Sequence, residues 1–278
     1  MHKHISLNNF KIGNDLPLTI IAGPCQMETR DHTMRMAESL VKICQKHGAN
    51  FIYKSSFDKA NRTSISGKRG IGMEKALPIF EEVKKTFECP VITDVHSPEH
   101  CGQVADVIDV LQIPAFLCRQ TDLLLAAAKT GRAINVKKGQ FLAPWEMENV
   151  AKKLQAGGND NVMLCERGTT FGYNRLVVDM RSFSIMAQTG YPVVFDATHS
   201  VMEPGGQGTS SGGNRKHAPI LARAAVSIGV AAVFMETHED PDNAPSDGPN
   251  MIYLKDMDRV IGDLAQVDKY AKANPLSI

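Results

Sequence analysis

Short apolar runs recur along the chain, separated by longer stretches in which apolar positions fall three and four residues apart. Eight such runs are Leu18–Ala22, Asn50–Lys54, Pro90–Asp94, Val107–Gln112, Ala133–Lys137, Asn161–Cys165, Pro192–Asp196 and Ala231–Glu236. They are apolar at consecutive rather than alternate positions, as parallel strands covered on both faces must be. In the first intervening stretch Met34, Ala37, Val41 and Cys44 keep helical spacing. Further helices are predicted over Glu74–Thr86, Ser97–Ala105, Leu123–Lys129, Pro144–Gln155, Leu176–Gln188, Ala218–Ile228 and Leu254–Ala271, with Pro144 suited to a first helical position. Eight β–α units without a long linker predict one α/β domain over residues 1–278, a closed (β/α)8 TIM barrel. A doubly wound open sheet is the alternative. Residues 5–15, with turn chemistry at Gly13-Asn14-Asp15, read as a short N-terminal β-hairpin plugging the barrel's N-terminal face.

Composition narrows this picture. A single domain of 278 residues is unusual outside α/β barrels and large β architectures, and 43% hydrophobic residues supply its core. A net charge of +1 leaves no electrostatic footprint for nucleic acid. No apolar run reaches the ~18 residues of a membrane span, and the polar residues after Ile5 do not form a signal-peptide core. The six cysteines include no C-x-x-C pair, so reduced thiols in a cytoplasmic protein are expected.

In such a barrel the chemistry sits at the C-terminal strand ends. Those ends carry Gly23-Pro24-Cys25, Lys54-Ser55-Ser56, Asp94-Val95-His96, Gln112, Lys137-Lys138, Glu166-Arg167, Asp196-Ala-Thr-His199 and Glu236-Thr237-His238. The strand bodies are almost free of charge. Chance would scatter the charges, so this asymmetry marks an enzyme. Lys54, Lys59, Arg62, Arg119, Lys137 and Arg167 form a cationic group that repels itself unless anions fill it, and phosphates and carboxylates suit it. Taken singly, each lysine also reads as a solvated rim residue. Cys25, His199, Glu236 and Asp247 offer thiolate, imidazole and carboxylates for Zn²⁺, Fe²⁺ or Mn²⁺. Their spacing is not local, and a lone cysteine at a strand end is more often packing than ligand. The Gly/Ser-rich segment 205–213 has no G-K-[ST], so it reads as a mobile lid rather than a P-loop, and no G-x-G-x-x-G follows the first strand.

Several segments then combine into a specific pattern: Ile21-Ala-Gly-Pro-Cys25, Phe57-Asp-Lys-Ala-Asn-Arg62, Ile113-Pro-Ala-Phe-Leu-Cys-Arg119, Asn135-Val-Lys-Lys138, Glu166-Arg-Gly168, Asp196-Ala-Thr-His199 and Ser246-Asp-Gly-Pro249. From about Ile21 to Asn250 the chain resembles the octulosonate 8-phosphate synthases. The resemblance implies a cytoplasmic homotetramer of TIM barrels. It implies a reaction joining phosphoenolpyruvate, arabinose 5-phosphate and water, releasing phosphate and leading to the Kdo sugar of lipopolysaccharide. Metal-independent members carry Asn where this chain has Cys25. The resemblance therefore implies the metal-dependent branch, with a divalent ion (Zn, Fe, Mn or Co) on Cys25, His199, Glu236 and Asp247. It makes Lys54, Lys59, Lys137 and Arg167 the phosphoenolpyruvate anchors, and Asn61, Arg62 and Thr63 the sugar-phosphate pocket, with Thr63 where Ser is usual. Arg119 is then the residue that reaches a neighbouring subunit, and Asp94 and His96 form a polar wall. Ser56 and Gln112 are expected among the substrate contacts, and Lys59, Asp94, His96, Lys137 and His199 carry catalysis.

Three rivals remain. The heptulosonate 7-phosphate synthases use erythrose 4-phosphate, but their loop reads Lys-Pro-Arg-Thr-Ser where this chain has Lys59-Ala-Asn-Arg-Thr-Ser64. A noncatalytic sugar-phosphate sensor would have lost strand-end charges. A metal-dependent phosphosugar aldolase would need no phosphoenolpyruvate and release no phosphate.

Overall fold

In a computed structural model, residues 2–8, 10–206, 208 and 211–276 are described. The chain opens with an antiparallel hairpin of β1 (Ile5–Leu7) and β2 (Phe10–Ile12). Its turn begins at Asn8, whose φ of 46° is the left-handed conformation that asparagine tolerates, while Asn9 lies outside the described residues. The expected turn at Gly13-Asn14-Asp15 instead follows the second strand. There the Asn14 side chain donates to the Tyr191 carbonyl (3.0 Å) and accepts from the Val193 amide (2.8 Å), tying the hairpin to the barrel.

All eight predicted runs are strands. They are β3 (Thr19–Gly23), β4 (Asn50–Lys54), β5 (Val91–Asp94), β6 (Val110–Ile113), β7 (Ala133–Lys137) and β8 (Val162–Glu166), then, after a short ribbon of β9 (Thr169–Thr170) and β10 (Leu176–Val177), β11 (Val193–Asp196). A second ribbon, β12 (Met202–Glu203) with β13 (Gly212–Gly213), precedes the eighth barrel strand, β14 (Ala232–His238), and β15 (Ile252–Tyr253) pairs with its end. Each barrel strand pairs in parallel with the next, and the β11–β14 pairing closes the ring. An open doubly wound sheet is thereby excluded.

Helices cover the outside: α1 (Arg30–His47), α2 (Met73–Phe87), α3 (Pro98–Val104), α4 (Thr121–Lys129), α5 (Met147–Ala156), α6 (Arg181–Ala187) and, after the single buried turn α7 (Ala197–Ser200) at the end of β11, α8 (Ala218–Ile228) and α9 (Leu254–Ala273). Two sequence expectations need correction. The fourth strand begins at Val110, not Val107. The amides of Val107 and Ile108 bond back to the Val104 carbonyl, and Asp109 accepts from the Val91 amide and from Lys84 Nζ. The predicted helix Leu176–Gln188 is a ribbon strand first. Its helix starts at Arg181, where the Asp179 carboxylate takes the Arg181 amide at 3.0 Å.

The core has two layers. The larger lies between barrel and helices. The smaller fills the barrel, where Ile21, Ile52, Ile92, Met163 and Phe234 meet Ile5, Leu7 and Ile12 of the hairpin. The hairpin thus stoppers the N-terminal end, and the polar side chains are left at the opposite mouth.

Candidate active site

Each polar group at the mouth sits where a strand runs out. At the end of β3 a Cβ on Gly23 would lie 1.9 Å from the Lys54 carbonyl, so only glycine fits before the chain turns inward at Pro24-Cys25. Asp196 ends β11 and caps α7, accepting from the His199 amide at 3.0 Å.

A cavity of about 770 Å³ opens there. Lys54, Lys59, Arg62, Lys137 and Arg167 line it, together with Asn61, Thr63, Asp94, His96, Gln112, His199 and Asp247. Three of the five cations are paired. Lys54 bonds Glu236, Lys137 bonds Asp196, and Lys59 lies 3.7 Å from both Asp94 and Glu236. Among the described residues, Arg62 is held by neutral acceptors: the Lys68 carbonyl (2.7 Å), Ser246 Oγ (2.5 Å) and Gln26 Oε1 (2.8 Å). Arg167 is 4% exposed, and its Nη1 has no partner among the described residues. Burial draws its pKa down, against the pull of Asp196.

The carboxylates answer to these cations. Burial works against the ionised form of Asp94, but Lys59, Lys54 and Lys137 outweigh it and hold the group well below the usual range. Asp196 is held low in the same way by His199 and Lys137, and Glu236 by Lys54, His199 and Lys59. Asp94 also accepts from Ser56 Oγ and, at 2.5 Å, from Gln112 Nε2. His96 stacks edge-on to Phe57 and His100, and burial lowers its pKa.

Of the four expected metal ligands, Cys25, Glu236 and Asp247 bring ligand atoms within 4.8 Å of one another. His199 Nε2 faces them, 3.5 Å from Glu236 and 4.0 Å from Asp247. Its Nδ1 lies 2.7 Å from Asp196, which leaves the Nε2 lone pair turned toward the carboxylates. Asp247 takes a φ of 50°, the left-handed conformation that aspartate, like asparagine, tolerates. Burial, and then Glu236, push the Cys25 thiol up, so a thiolate forms there only against a cation. Donor types and tautomer both fit a divalent ion. A second cluster, Glu28, His32 and His238, does not. His238 Nδ1 accepts the Asp240 amide at 2.9 Å, which places its proton on Nε2 facing Glu28.

Not every expected residue reaches the cavity. Ser56 is fully buried beneath Asp94. Arg119 is exposed and outside this chain's cavity, although the sequence grouped it with the other cations. Its backbone carbonyl accepts from Lys153 Nζ. Lys138 is fully buried and secures the following loop through the Leu142 carbonyl (3.2 Å) and Thr169 (3.0 Å). Gly205 and Ser211 of the expected lid line the cavity beside Pro204, while Gln207, Thr209 and Ser210 lie outside the described residues. Sequence reading missed Gln26, and it gave Asn135 and Asp196 no role although both stand in the motifs it singled out; Asp196 carried a further signal, its i,i+3 spacing to His199.

Comparison with known proteins places the chain in a family. A family model described as the DAHP synthetase I family matches residues 3–273. Proteins named 2-dehydro-3-deoxyphosphooctonate aldolase are similar throughout. The one from Bartonella tribocorum is 61% identical over 268 residues, 96% of each chain. That of Rhizobium meliloti is 65% identical over 92% of this chain and 91% of its own. That of Rickettsia bellii is 60% identical over 98% of this chain and 99% of its own.

Proposed function

The chain belongs to the DAHP synthetase I family and groups there with the 2-dehydro-3-deoxyphosphooctonate aldolases; from that premise we propose that it condenses phosphoenolpyruvate with D-arabinose 5-phosphate and water, giving 3-deoxy-D-manno-octulosonate 8-phosphate and inorganic phosphate for Kdo and lipopolysaccharide synthesis. One observation carries this reading beyond the relatives' names. Arg167 is a buried guanidinium on the cavity wall whose Nη1 lacks a partner among the described residues, and such a group calls for an anionic, bidentate acceptor. Lys59, Lys137 and Arg167 hold the phosphate and carboxylate of phosphoenolpyruvate, and Asn61, Arg62 and Thr63 hold the sugar phosphate. Fixing both substrates removes much of the entropy of a two-body encounter. C3 of phosphoenolpyruvate then attacks the aldehyde carbon, water adds at C2, and phosphate leaves with cleavage of its C–O bond. The cations stabilise negative charge on the phosphorylated adduct.

We further propose that Cys25, His199, Glu236 and Asp247 hold a divalent ion of the Zn, Fe, Mn or Co type. An ion held there would supply Lewis acidity toward an oxygen of water or aldehyde. Asp196 keeps His199 in the ligating tautomer. We also propose a cytoplasmic homotetramer in which Arg119 reaches the adjacent subunit's sugar phosphate. Phosphate release is the direct test of the chemistry. It should require phosphoenolpyruvate and arabinose 5-phosphate together, and isotope in the bridging oxygen should appear in phosphate. A labelled sugar product, or turnover without phosphate release, contradicts the proposal. Chelation should abolish activity, with Mn²⁺, Fe²⁺, Co²⁺ or Zn²⁺ restoring it to different degrees. Full activity of a demonstrably metal-free enzyme contradicts the metal assignment.

A further inference from the structure

Three neighbouring strands each place one uncharged or acidic side chain in a row: Asp94 on β5 and Gln112 on β6, which line the cavity, and Asn135 on β7, which is fully buried behind them. The sheet register sets Asp94 beside Gln112 and Gln112 beside Asn135. Their side chains form one directed chain of hydrogen bonds. Asn135 Nδ2 donates to Gln112 Oε1 at 2.9 Å, and Gln112 Nε2 donates to Asp94 Oδ1 at 2.5 Å. Ser56 Oγ donates to the other Asp94 oxygen, and Lys59 Nζ lies 3.7 Å away. Asn135 and Gln112 are 0% and 1% exposed, so both amides are shut off from bulk solvent, and Asn135 Oδ1 has no partner among the described residues.

The two ends of a glutamine amide have nearly the same shape, so packing alone does not choose which end faces Asp94. Charge does. Beside Lys59, Asp94 is an ionised acceptor and needs donors, so Gln112 must turn its NH₂ that way. The Gln112 carbonyl then points toward β7, where a buried acceptor without a donor is costly. Asn135 supplies the donor. We propose that Asn135 is a positioning residue for the reaction: by donating to Gln112 it fixes the direction of this chain and keeps Asp94 fully engaged as an acceptor beside Lys59. The proposal rests on the condensation described above.

Replacing Asn135 with aspartate keeps its shape and removes its donor. Gln112 and Met163 are the neighbours of position 135 in register, and the ionisable groups that the register places next are Lys137 on the same strand with Cys165 opposite it on β8, and Asp94 with Lys59 beyond Gln112. Asp94 stays ionised beside Lys59, so the first proton taken up as pH falls goes to the buried carboxyl that the Asn135→Asp variant introduces. Once protonated, that carboxyl is again a donor to Gln112, and acid should restore function.

The test compares Asn135→Asp, Asn135→Ala and wild-type enzyme from pH 8 to 5.5 with saturating phosphoenolpyruvate and arabinose 5-phosphate. Product formation by the wild type is scored first and tests the functional reading on its own. At pH 8, kcat of both variants should fall about ten- to a hundredfold, the consequence of one buried unsatisfied group. Toward pH 5.5 the ratio of Asn135→Asp to wild type should recover at least fivefold while that of Asn135→Ala stays flat. In the same window, without substrate, the Tm of Asn135→Asp should converge on that of the wild type. If Asn135→Asp does not fold, Gln112→Glu takes its place. It still accepts from Asn135 but donates to Asp94 only when protonated, so it should show the same acid recovery. Wild-type activity of Asn135→Asp at pH 8, or equal and pH-independent losses in the aspartate and alanine variants, overturns the proposal.

Discussion

At the residue scale, the densest junction is Asp196. It accepts from Lys137 Nζ, His199 Nδ1 and the His199 amide, all at a fully buried position. Asn at 196 leaves Lys137 without its counter-charge and can no longer fix the His199 tautomer. Asp196→Asn should therefore lower kcat/KM about a hundredfold and weaken metal binding about ten- to a hundredfold, checked by kinetics and by titrating metal into the apo-protein. A kcat/KM within twofold of wild type contradicts the assignment. His32 is the opposite case. Its ring nitrogens are buried and without partners among the described residues, and burial, aided by His238, lowers its pKa. The unfolded chain therefore takes up the proton first. The stability at stake is intact above the unfolded value of about 6.5 and drains as pH falls. His32→Leu should raise Tm, more at pH 5.5 than at pH 8, and a lower Tm at both would contradict this reading. At this scale the charged residues were legible, because charge at an apolar strand's end has few structural explanations. The Asn135–Gln112 pair was not. Both residues are uncharged, and 23 positions separate them in sequence.

At the scale of elements, the barrel strands were legible because each is apolar at consecutive positions and bounded by polar residues. The exceptions follow from local hydrogen bonding. Asp109 delays β6 by accepting from β5's first amide, and Asp179 starts α6 late. The N-terminal hairpin was expected, but its turn was sought at the glycine rather than at Asn8. It stoppers the barrel end opposite the cavity, and Ile12 is fully buried among barrel side chains. Ile12→Ala should cost about 2–5 kcal/mol of unfolding free energy by urea titration, while kcat of the folded enzyme at 25 °C stays within about twofold. A cost below about 1 kcal/mol would show that the hairpin is not a structural plug.

At the scale of the whole molecule, one expected cation is missing from the cavity. Arg119 is exposed on the same loop segment as Phe116, which is 55% exposed. If Arg119 serves a neighbouring subunit, Arg62→Ala and Arg119→Ala should each be nearly inactive, and refolding the two together should restore a fraction of wild-type activity. At mixed interfaces one site inherits both defects and another inherits neither. Mixed oligomers with activity no higher than the single variants would place Arg119 within its own subunit. Whatever the assembly, the central claim concerns the aldehyde substrate, and the proposal assigns that choice to the Lys59-Ala-Asn-Arg-Thr63 loop, whose sequence differs from the Lys-Pro-Arg-Thr-Ser that the resemblance gives to enzymes using erythrose 4-phosphate. The most direct measurement is kcat/KM for arabinose 5-phosphate and for erythrose 4-phosphate, each with saturating phosphoenolpyruvate and with product and phosphate both quantified. Arabinose 5-phosphate should be preferred by at least about tenfold, the factor that 1.4 kcal/mol of differential transition-state binding produces. Equal or greater kcat/KM with erythrose 4-phosphate would contradict the account.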